Sequence, residues 1–106
     1  MRSIGERSND PALLVLTSLA DGPKHGYAIT ADVEEFAGVK LGPGTLYGAL
    51  SRLEDRGMIE ALPAADRRHP YQLTSTGRTA LEKQLRSIEA VATRGLHRLR
   101  AAEVSP

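Results

Sequence analysis

The sequence contains no cysteine and no tryptophan, and its aromatic residues are limited to three tyrosines and one phenylalanine. Disulfides, thiolate metal sites and cysteine nucleophiles are therefore excluded. No apolar run reaches the ~20 residues of a transmembrane helix, and the N-terminus lacks the apolar core of a signal peptide. We therefore expect a cytoplasmic protein.

Net charge is also low, at +1 for 106 residues. A protein that binds nucleic acid by electrostatics alone would be far more basic. The positive charge is uneven, because six basic residues oppose four acidic ones between Lys40 and Arg78, whereas Lys24 to Val39 is acidic. Any contact with DNA must therefore come from local placement of charge. The length and a hydrophobic fraction of 41% suit one domain with a modest core.

The segment from Leu41 to Gly57 has the spacing of a short amphipathic helix. Gly42 suits the N-cap, Pro43 the first helical position, and Gly57 the left-handed residue that ends a helix. The positions predicted to face the core are Leu46, Ala49, Leu50 and Leu53.

The opposite face of this helix is low in bulk, because Gly48 and Ser51 lie there. Such a face can approach a DNA groove closely, and free backbone N–H groups in the first turn can bind phosphate. The predicted DNA contacts on this helix are Thr45, Tyr47, Ser51 and Arg52. An ordinary amphipathic helix packed on a small core is the alternative.

Two further helices precede this segment. Asp10 and Pro11 suit the start of the first, which the run Asp21, Gly22 and Pro23 ends. The second is expected from about His25 to Ala37, with Tyr27, Ile29, Val33 and Phe36 facing inward and Asp32, Glu34 and Glu35 facing outward. Three short helices with tight connections predict a helix-turn-helix domain.

After Gly57 the pattern changes to weak alternation, first over 58–62 and again over 71–73. We predict two short antiparallel strands, a wing, joined by the loop 63–70. The loop tip, from Asp66 to His69, is expected to be exposed and cationic, with Arg67 and Arg68 contacting DNA. A solvated loop without a partner is the alternative.

Thr74 can cap a final helix that is predicted to continue through Arg100. Its apolar stripe is longer than one small domain can cover, so a second copy of the chain is the expected partner. The stripe consists of Leu81, Leu85, Ile88, Ala92, Gly95 and Leu99. At Ala92 and Gly95 the small side chains predict either a close crossing of two helices or a gap that binds a small-molecule effector.

These elements predict a mainly α fold with a small β-hairpin wing and a long C-terminal dimerisation helix. The expected organisation is a flexible N-terminal arm over 1–9, a winged helix-turn-helix DNA-binding domain over 10–75, the dimerisation helix over 76–100 and a flexible tail over 101–106. A homodimer would present two copies of the DNA-contacting helix that ends at Gly57. They would bind half-sites about one helical turn apart, ~34 Å, on a near-palindromic operator of double-stranded DNA.

Three segments carry a family resemblance: KHGYAI from Lys24, GTLYGALSRLEDRGMIE from Gly44 and YQLTSTGRTAL from Tyr71. In these the chain resembles the PadR family of winged helix-turn-helix transcription regulators, in the short branch with a single C-terminal helix. The resemblance implies a dimeric repressor released by a small-molecule or stress signal. The chain departs from the family pattern at Gly48, where proline is usual, and in its wing sequence ADRRHP.

Enzymatic activity is not expected. His25, His69 and His97 have no spacing typical of a metal site, and the glycines match neither a dinucleotide fingerprint nor a P-loop. We predict no cofactor, no metal and no catalytic residue. The alternative functions are a winged-helix module that binds protein without DNA and a MarR-like ligand-sensing regulator. DNA binding would weaken steeply with salt, whereas a mostly apolar protein contact would not.

Overall fold

The computed structural model of the protein describes residues 9–64 and 68–104. Three sequence expectations lie outside the described residues: the arm before Asn9, the loop residues Asp66 and Arg67, and the last two residues of the tail. None of the helices in the described part of the chain is long and apolar enough to cross a membrane.

Four α-helices and one two-stranded antiparallel hairpin make up the described fold, which confirms the predicted class. In the hairpin Ile59 lies opposite Leu73 and Ala61 opposite Tyr71. The elements are α1 (Pro11–Ser18), a 3-10 turn (Leu19–Asp21), α2 (Gly26–Ala37), α3 (Pro43–Asp55), β1 (Ile59–Ala61), β2 (Tyr71–Leu73) and α4 (Ser75–Val104).

The helix boundaries follow the capping residues that the sequence indicated. The carboxylate of Asp10 accepts a hydrogen bond of 2.9 Å from the N–H of Ala12 at the start of α1. Gly42 is the N-cap of α3, with Pro43 in its first turn. The left-handed residue after α3 is Gly57, with φ +71°, as predicted.

The core lies where α1 crosses the inward face of α3. All four positions predicted to face inward on α3 are buried, and Leu50 is 1% exposed. Full burial of a leucine or isoleucine side chain contributes about 1.5–3 kcal/mol, so this contact is a large share of the stability of a small domain. The buried apolar residues are Leu13, Leu14, Val15, Leu16, Leu19, Ile29, Val33, Leu41, Leu46, Ala49, Leu50, Leu53, Ile59, Tyr71 and Leu81.

Two predicted inward positions on α2 are wrong. Tyr27 is 85% exposed because it lies two residues before Ile29, about 200° around the helix from this buried position. Phe36 is 46% exposed because it lies in the last turn of α2, beside a groove between α1 and α4 that the described residues leave open.

Asp32 was expected to face solvent, and it is half-buried. Its carboxylate accepts a hydrogen bond of 2.7 Å from the hydroxyl of Ser18, which is 1% exposed. Removing this acceptor would leave a buried hydroxyl unsatisfied, which is costly. The pair therefore joins the end of α1 to the middle of α2.

A contact that the sequence did not predict attaches the wing to the segment before α2. Lys24 and Tyr71 exchange two main-chain hydrogen bonds, of 3.1 and 2.9 Å, beside the hairpin. The Lys24 ammonium also bonds the Asp21 carboxylate and the carbonyl of Ser18. The wing base is thereby held against the start of the helix-turn-helix.

Two hydrogen bonds of Thr74 join the start of α4 to the turn after α3. Its hydroxyl accepts from the N–H of Gly77 at 3.0 Å and donates to the carbonyl of Gly57 at 2.6 Å, so the predicted cap is confirmed. The predicted end at Arg100 is wrong, since α4 continues to Val104. Alanine and glutamate favour helix, and no glycine or proline lies between Arg100 and Pro106.

Gly77 provides a test of the packing between α4 and the turn after α3. A Cβ atom at this position would lie 1.9 Å from the carbonyl oxygen of Met58, which is backbone and cannot move away cheaply. We predict that Gly77→Ala lowers the free energy of unfolding by about 2–3 kcal/mol, measured by urea denaturation.

The control for this measurement is Gly44→Ala, in the first turn of α3, where a Cβ lies within 4 Å of no atom of the described residues. This variant should keep or slightly raise the stability of the protein, because alanine favours helix over glycine. Equal stability of the two variants would contradict the packing described here.

Candidate nucleic-acid interface

The outward face of α3 carries three of the side chains predicted to contact DNA. Thr45, Ser51 and Arg52 are all exposed, and no acidic residue lies in the first turn. The N-cap Gly42 has no side chain to occupy the N–H groups of this turn. An anion can therefore approach the start of α3, where the helix dipole favours negative charge.

Gly48 gives Arg52 room on this face. A Cβ atom at Gly48 would lie 3.5 Å from Nη1 of Arg52, so the guanidinium folds back along α3 over the glycine. The Arg52 side chain therefore covers part of the low face that was predicted around Gly48. A side chain as long as that of arginine can extend from this position to a base edge or a phosphate.

The Tyr47 side chain packs against the start of α2. A Cβ atom at Gly26 would lie only 2.8 Å from the Tyr47 hydroxyl oxygen, so the glycine makes room for the phenol. The Tyr47 side chain remains 56% exposed. It therefore bridges α2 and α3 and is not a free projection from α3.

The wing places Arg68 at the surface and His69 partly inside. The His69 ring meets Tyr71 edge-on, with ring centroids 5.0 Å apart and planes at 67°. His69, expected at an exposed tip, is therefore half-buried. Burial raises the pKa of the Tyr71 phenol, and the negative charge of Glu54 and the Tyr47 phenol act in the same direction.

These elements enclose a cavity of about 370 Å³ that the sequence did not indicate. The predicted residues Tyr47 and Arg68 line it, and the structure adds the two residues that begin α2, His25 and Tyr27. The motif KHGYAI contains both added residues, but its apolar period gave no signal for an outward role. The described residues that line it are His25, Gly26, Tyr27, Tyr47, Arg68, His69 and Tyr71.

The predicted dimerisation stripe divides into two parts. Leu81 is buried in the core of its own domain, so the part available to a partner begins at Leu85. Leu85 and the half-buried Ile88 line the groove beside Phe36, which has a volume of about 310 Å³. Beyond Glu89 every residue of α4 up to Val104 is exposed, including Ala92, Gly95, Leu96 and Leu99.

Residues 15–83 match the Transcriptional regulator PadR-like family. The chain is 34% identical over 83 residues to the transcriptional regulator Rv3488 of Mycobacterium tuberculosis, and the match covers 76% of this chain and 77% of that protein. The chain therefore belongs to the PadR-like family of transcriptional regulators.

A second relative is a much longer protein. The chain is 48% identical over 88 residues to an uncharacterized 37.1 kDa protein in transposon TN4556 of Streptomyces fradiae. This match covers 83% of the chain but only 26% of the relative, so the chain spans about a quarter of that protein.

Two solved structures share the fold. A PadR family transcription regulator from hypervirulent Clostridium difficile superposes with a TM-score of 0.68 at 29% identity, over 81% of this chain and 97% of the other. Bacillus subtilis PadR, solved in complex with operator DNA, superposes with a TM-score of 0.60 at 26% identity, over 70% of this chain and 45% of the other.

Proposed function

We propose that the protein is a dimeric, sequence-specific DNA-binding regulator that acts as a repressor by occupying its operator. The observation that carries this proposal is the outward face of α3, where Thr45, Ser51 and Arg52 are exposed beside the wing and opposite a fully buried face. The complex of Bacillus subtilis PadR with operator DNA supports it.

The side chains on α3 suit different parts of a DNA duplex. Thr45 lies in the first turn, where its hydroxyl and the neighbouring N–H groups suit a phosphate. Ser51 and Arg52 lie further along the helix and suit base edges in the major groove, arginine pairing best with guanine. Arg68, together with Arg67 outside the described residues, suits the phosphates that flank the groove.

Enzymatic activity forms no part of this proposal. Within 9–64 and 68–104 no group of three or more histidine and carboxylate side chains is placed to hold a metal ion. A protein-interaction module and a MarR-like ligand sensor are the alternatives, and neither has a feature that favours it over DNA binding. The salt dependence of binding separates the first of these from the proposal.

The surface chemistry of α4 supports dimerisation through this helix. This helix has 30 residues and a length of about 45 Å, of which only the first turns touch the rest of the described chain. Three large apolar residues in its outer half, Val91, Leu96 and Leu99, are 63–73% exposed. A second α4 would cover these three residues and the groove beside Phe36, and a symmetric dimer is the commonest solution. An effector at Ala92 and Gly95 stays a prediction of the sequence.

DNA binding is tested by mobility shift on the region upstream of the gene that encodes this protein, at several salt concentrations. We predict that Arg52→Ala costs roughly 1–3 kcal/mol of binding free energy and relaxes sequence preference, because a bidentate contact to guanine is lost. Combining Arg67→Ala with Arg68→Ala should weaken binding to all sequences and flatten the salt slope by about 0.9 for each lost phosphate contact.

The matched control is Arg94→Ala on α4, which removes one positive charge away from α3 and the wing. Its affinity should stay close to that of the unchanged protein. If the control and the three arginine changes have equal effects, only net charge matters, and α3 and the wing do not form the DNA site.

The dimer is tested by placing charge in the stripe. Leu85→Asp together with Ile88→Asp would bury unpaired carboxylates between two copies, which is costly. We predict a monomer or an unfolded chain in sedimentation experiments. The control is Ser87→Asp with Ala90→Asp, which adds the same charge to exposed positions on the other side of α4 and should leave the dimer intact. A folded dimer of the first variant would contradict the assignment.

A further inference from the structure

Lys24 is the first residue of the motif KHGYAI, and it lies outside the face of α3 proposed to contact DNA. The other two lysines of the chain, Lys40 and Lys83, are exposed, whereas the Lys24 side chain is only 18% exposed. Lysine side chains usually keep the ammonium group in water. A lysine that is mostly covered therefore needs hydrogen-bond acceptors within the protein.

The Lys24 ammonium finds these acceptors at the C-terminal end of α1. It donates to the carbonyl of Ser18, the last residue of α1, and to the carboxylate of Asp21. Carbonyl groups in the last turn of a helix lack partners within the helix, and the helix dipole favours a cation there. Ser18 is itself fixed, because its hydroxyl donates to the Asp32 carboxylate on α2 at 2.7 Å. The hydrogen bond from Lys24, and then its charge, lower the pKa of the Asp21 carboxyl.

The main chain of the same residue pairs with the wing. The N–H of Lys24 donates to the carbonyl of Tyr71 at 3.1 Å, and the N–H of Tyr71 donates back to the carbonyl of Lys24 at 2.9 Å. Burial of the Tyr71 side chain holds β2 against the core, and the pairing with Lys24 fixes the edge of this strand. Asp21 and Pro23 are exposed, so burial does little to hold the segment that precedes Lys24. Its side chain therefore joins the edge of β2 to the end of α1.

The exposed part of the wing extends from this paired edge. Arg68 lies three residues before Tyr71, a distance of about 10 Å in an extended chain. The N–H of Leu62 donates to the carbonyl of Pro70 at 2.8 Å, which continues the hairpin pairing beyond the two strands towards Arg68. A small rotation of β2 at its base would therefore move Arg68 by a larger distance.

We propose that Lys24 is a positioning residue for DNA binding. Its ammonium fixes the edge of β2 to the end of α1 and thereby holds the wing where Arg68 contacts a phosphate. The inference rests on the proposed DNA-binding function. It assigns a role in binding to a side chain whose ammonium is bonded within the protein, and it leaves base recognition by α3 unchanged.

The first test is a double-mutant cycle on the affinity for the upstream DNA, measured by mobility shift. Lys24→Met keeps an unbranched side chain but removes the ammonium, and we expect it to weaken binding about fivefold. Adding Arg68→Ala should weaken binding by less than the product of the two single effects, because Lys24 acts through the wing. Adding Arg52→Ala should give the full product, because Arg52 lies on α3.

Two further variants control this cycle. Lys24→Arg keeps a cation with several donors and should recover most of the affinity lost in Lys24→Met. Lys83→Met removes the same charge from an exposed position on α4 and should leave the affinity unchanged. The folded fraction of each variant is measured by urea denaturation, so that unfolded protein is not counted as weak binding.

The second test needs no DNA. Hydrogen exchange followed by NMR reports local opening of the main-chain bonds between Lys24 and Tyr71. In Lys24→Met the N–H of Tyr71 should exchange about tenfold faster than in the unchanged protein. The N–H of Leu50, in the buried face of α3, should keep its rate.

Failure of this inference differs from failure of the proposed function. An unchanged exchange rate at Tyr71, or an equal increase at Leu50, would overturn the positioning role, because the ammonium would then have no local effect on the wing. Full multiplication of the Lys24→Met and Arg68→Ala effects would also overturn it. If the unchanged protein does not bind the upstream DNA at low salt, the proposed function fails and the role of Lys24 in DNA binding falls with it, whereas the difference in exchange would remain.

Discussion

The packing of the inward face of α3 on α1 is the contact on which the rest of the structure depends. Leu46, Leu50 and Leu53 are buried there, and their burial fixes the orientation of α3 about its own axis. The polar face of α3 must then point outward, so the same apolar period that stabilises the core also presents Thr45, Ser51 and Arg52. Core and candidate DNA surface are therefore two consequences of one helical pattern.

Much of the fold could be predicted from local signals. Helix ends are marked by local residues: the caps Asp10, Gly42 and Thr74 and the left-handed Gly57. The apolar period of α3 correctly predicts which of its faces is buried. What could not be predicted depends on residues distant in the chain. The pairing of Lys24 with Tyr71 has no local sequence signal, since it needs the wing to fold back onto the start of α2.

The candidate site shows the same division between local and tertiary information. Spacing placed Tyr47 on the outer side of α3, but its contact with Gly26 and the cavity it shares with His25 and His69 arise only when α2, α3 and the wing come together. The sequence predicts that Tyr27 faces inward. Its exposure follows from its angular position on α2, which removes it from the core and adds it to the cavity lining.

The central claim is that two copies of α3, held apart by paired α4 helices, read one duplex. Hydroxyl-radical footprinting on the bound upstream DNA tests it most directly. The account predicts two protected patches related by two-fold symmetry, with centres about one helical turn, ~34 Å, apart. A single protected patch, or protection without symmetry, would contradict it.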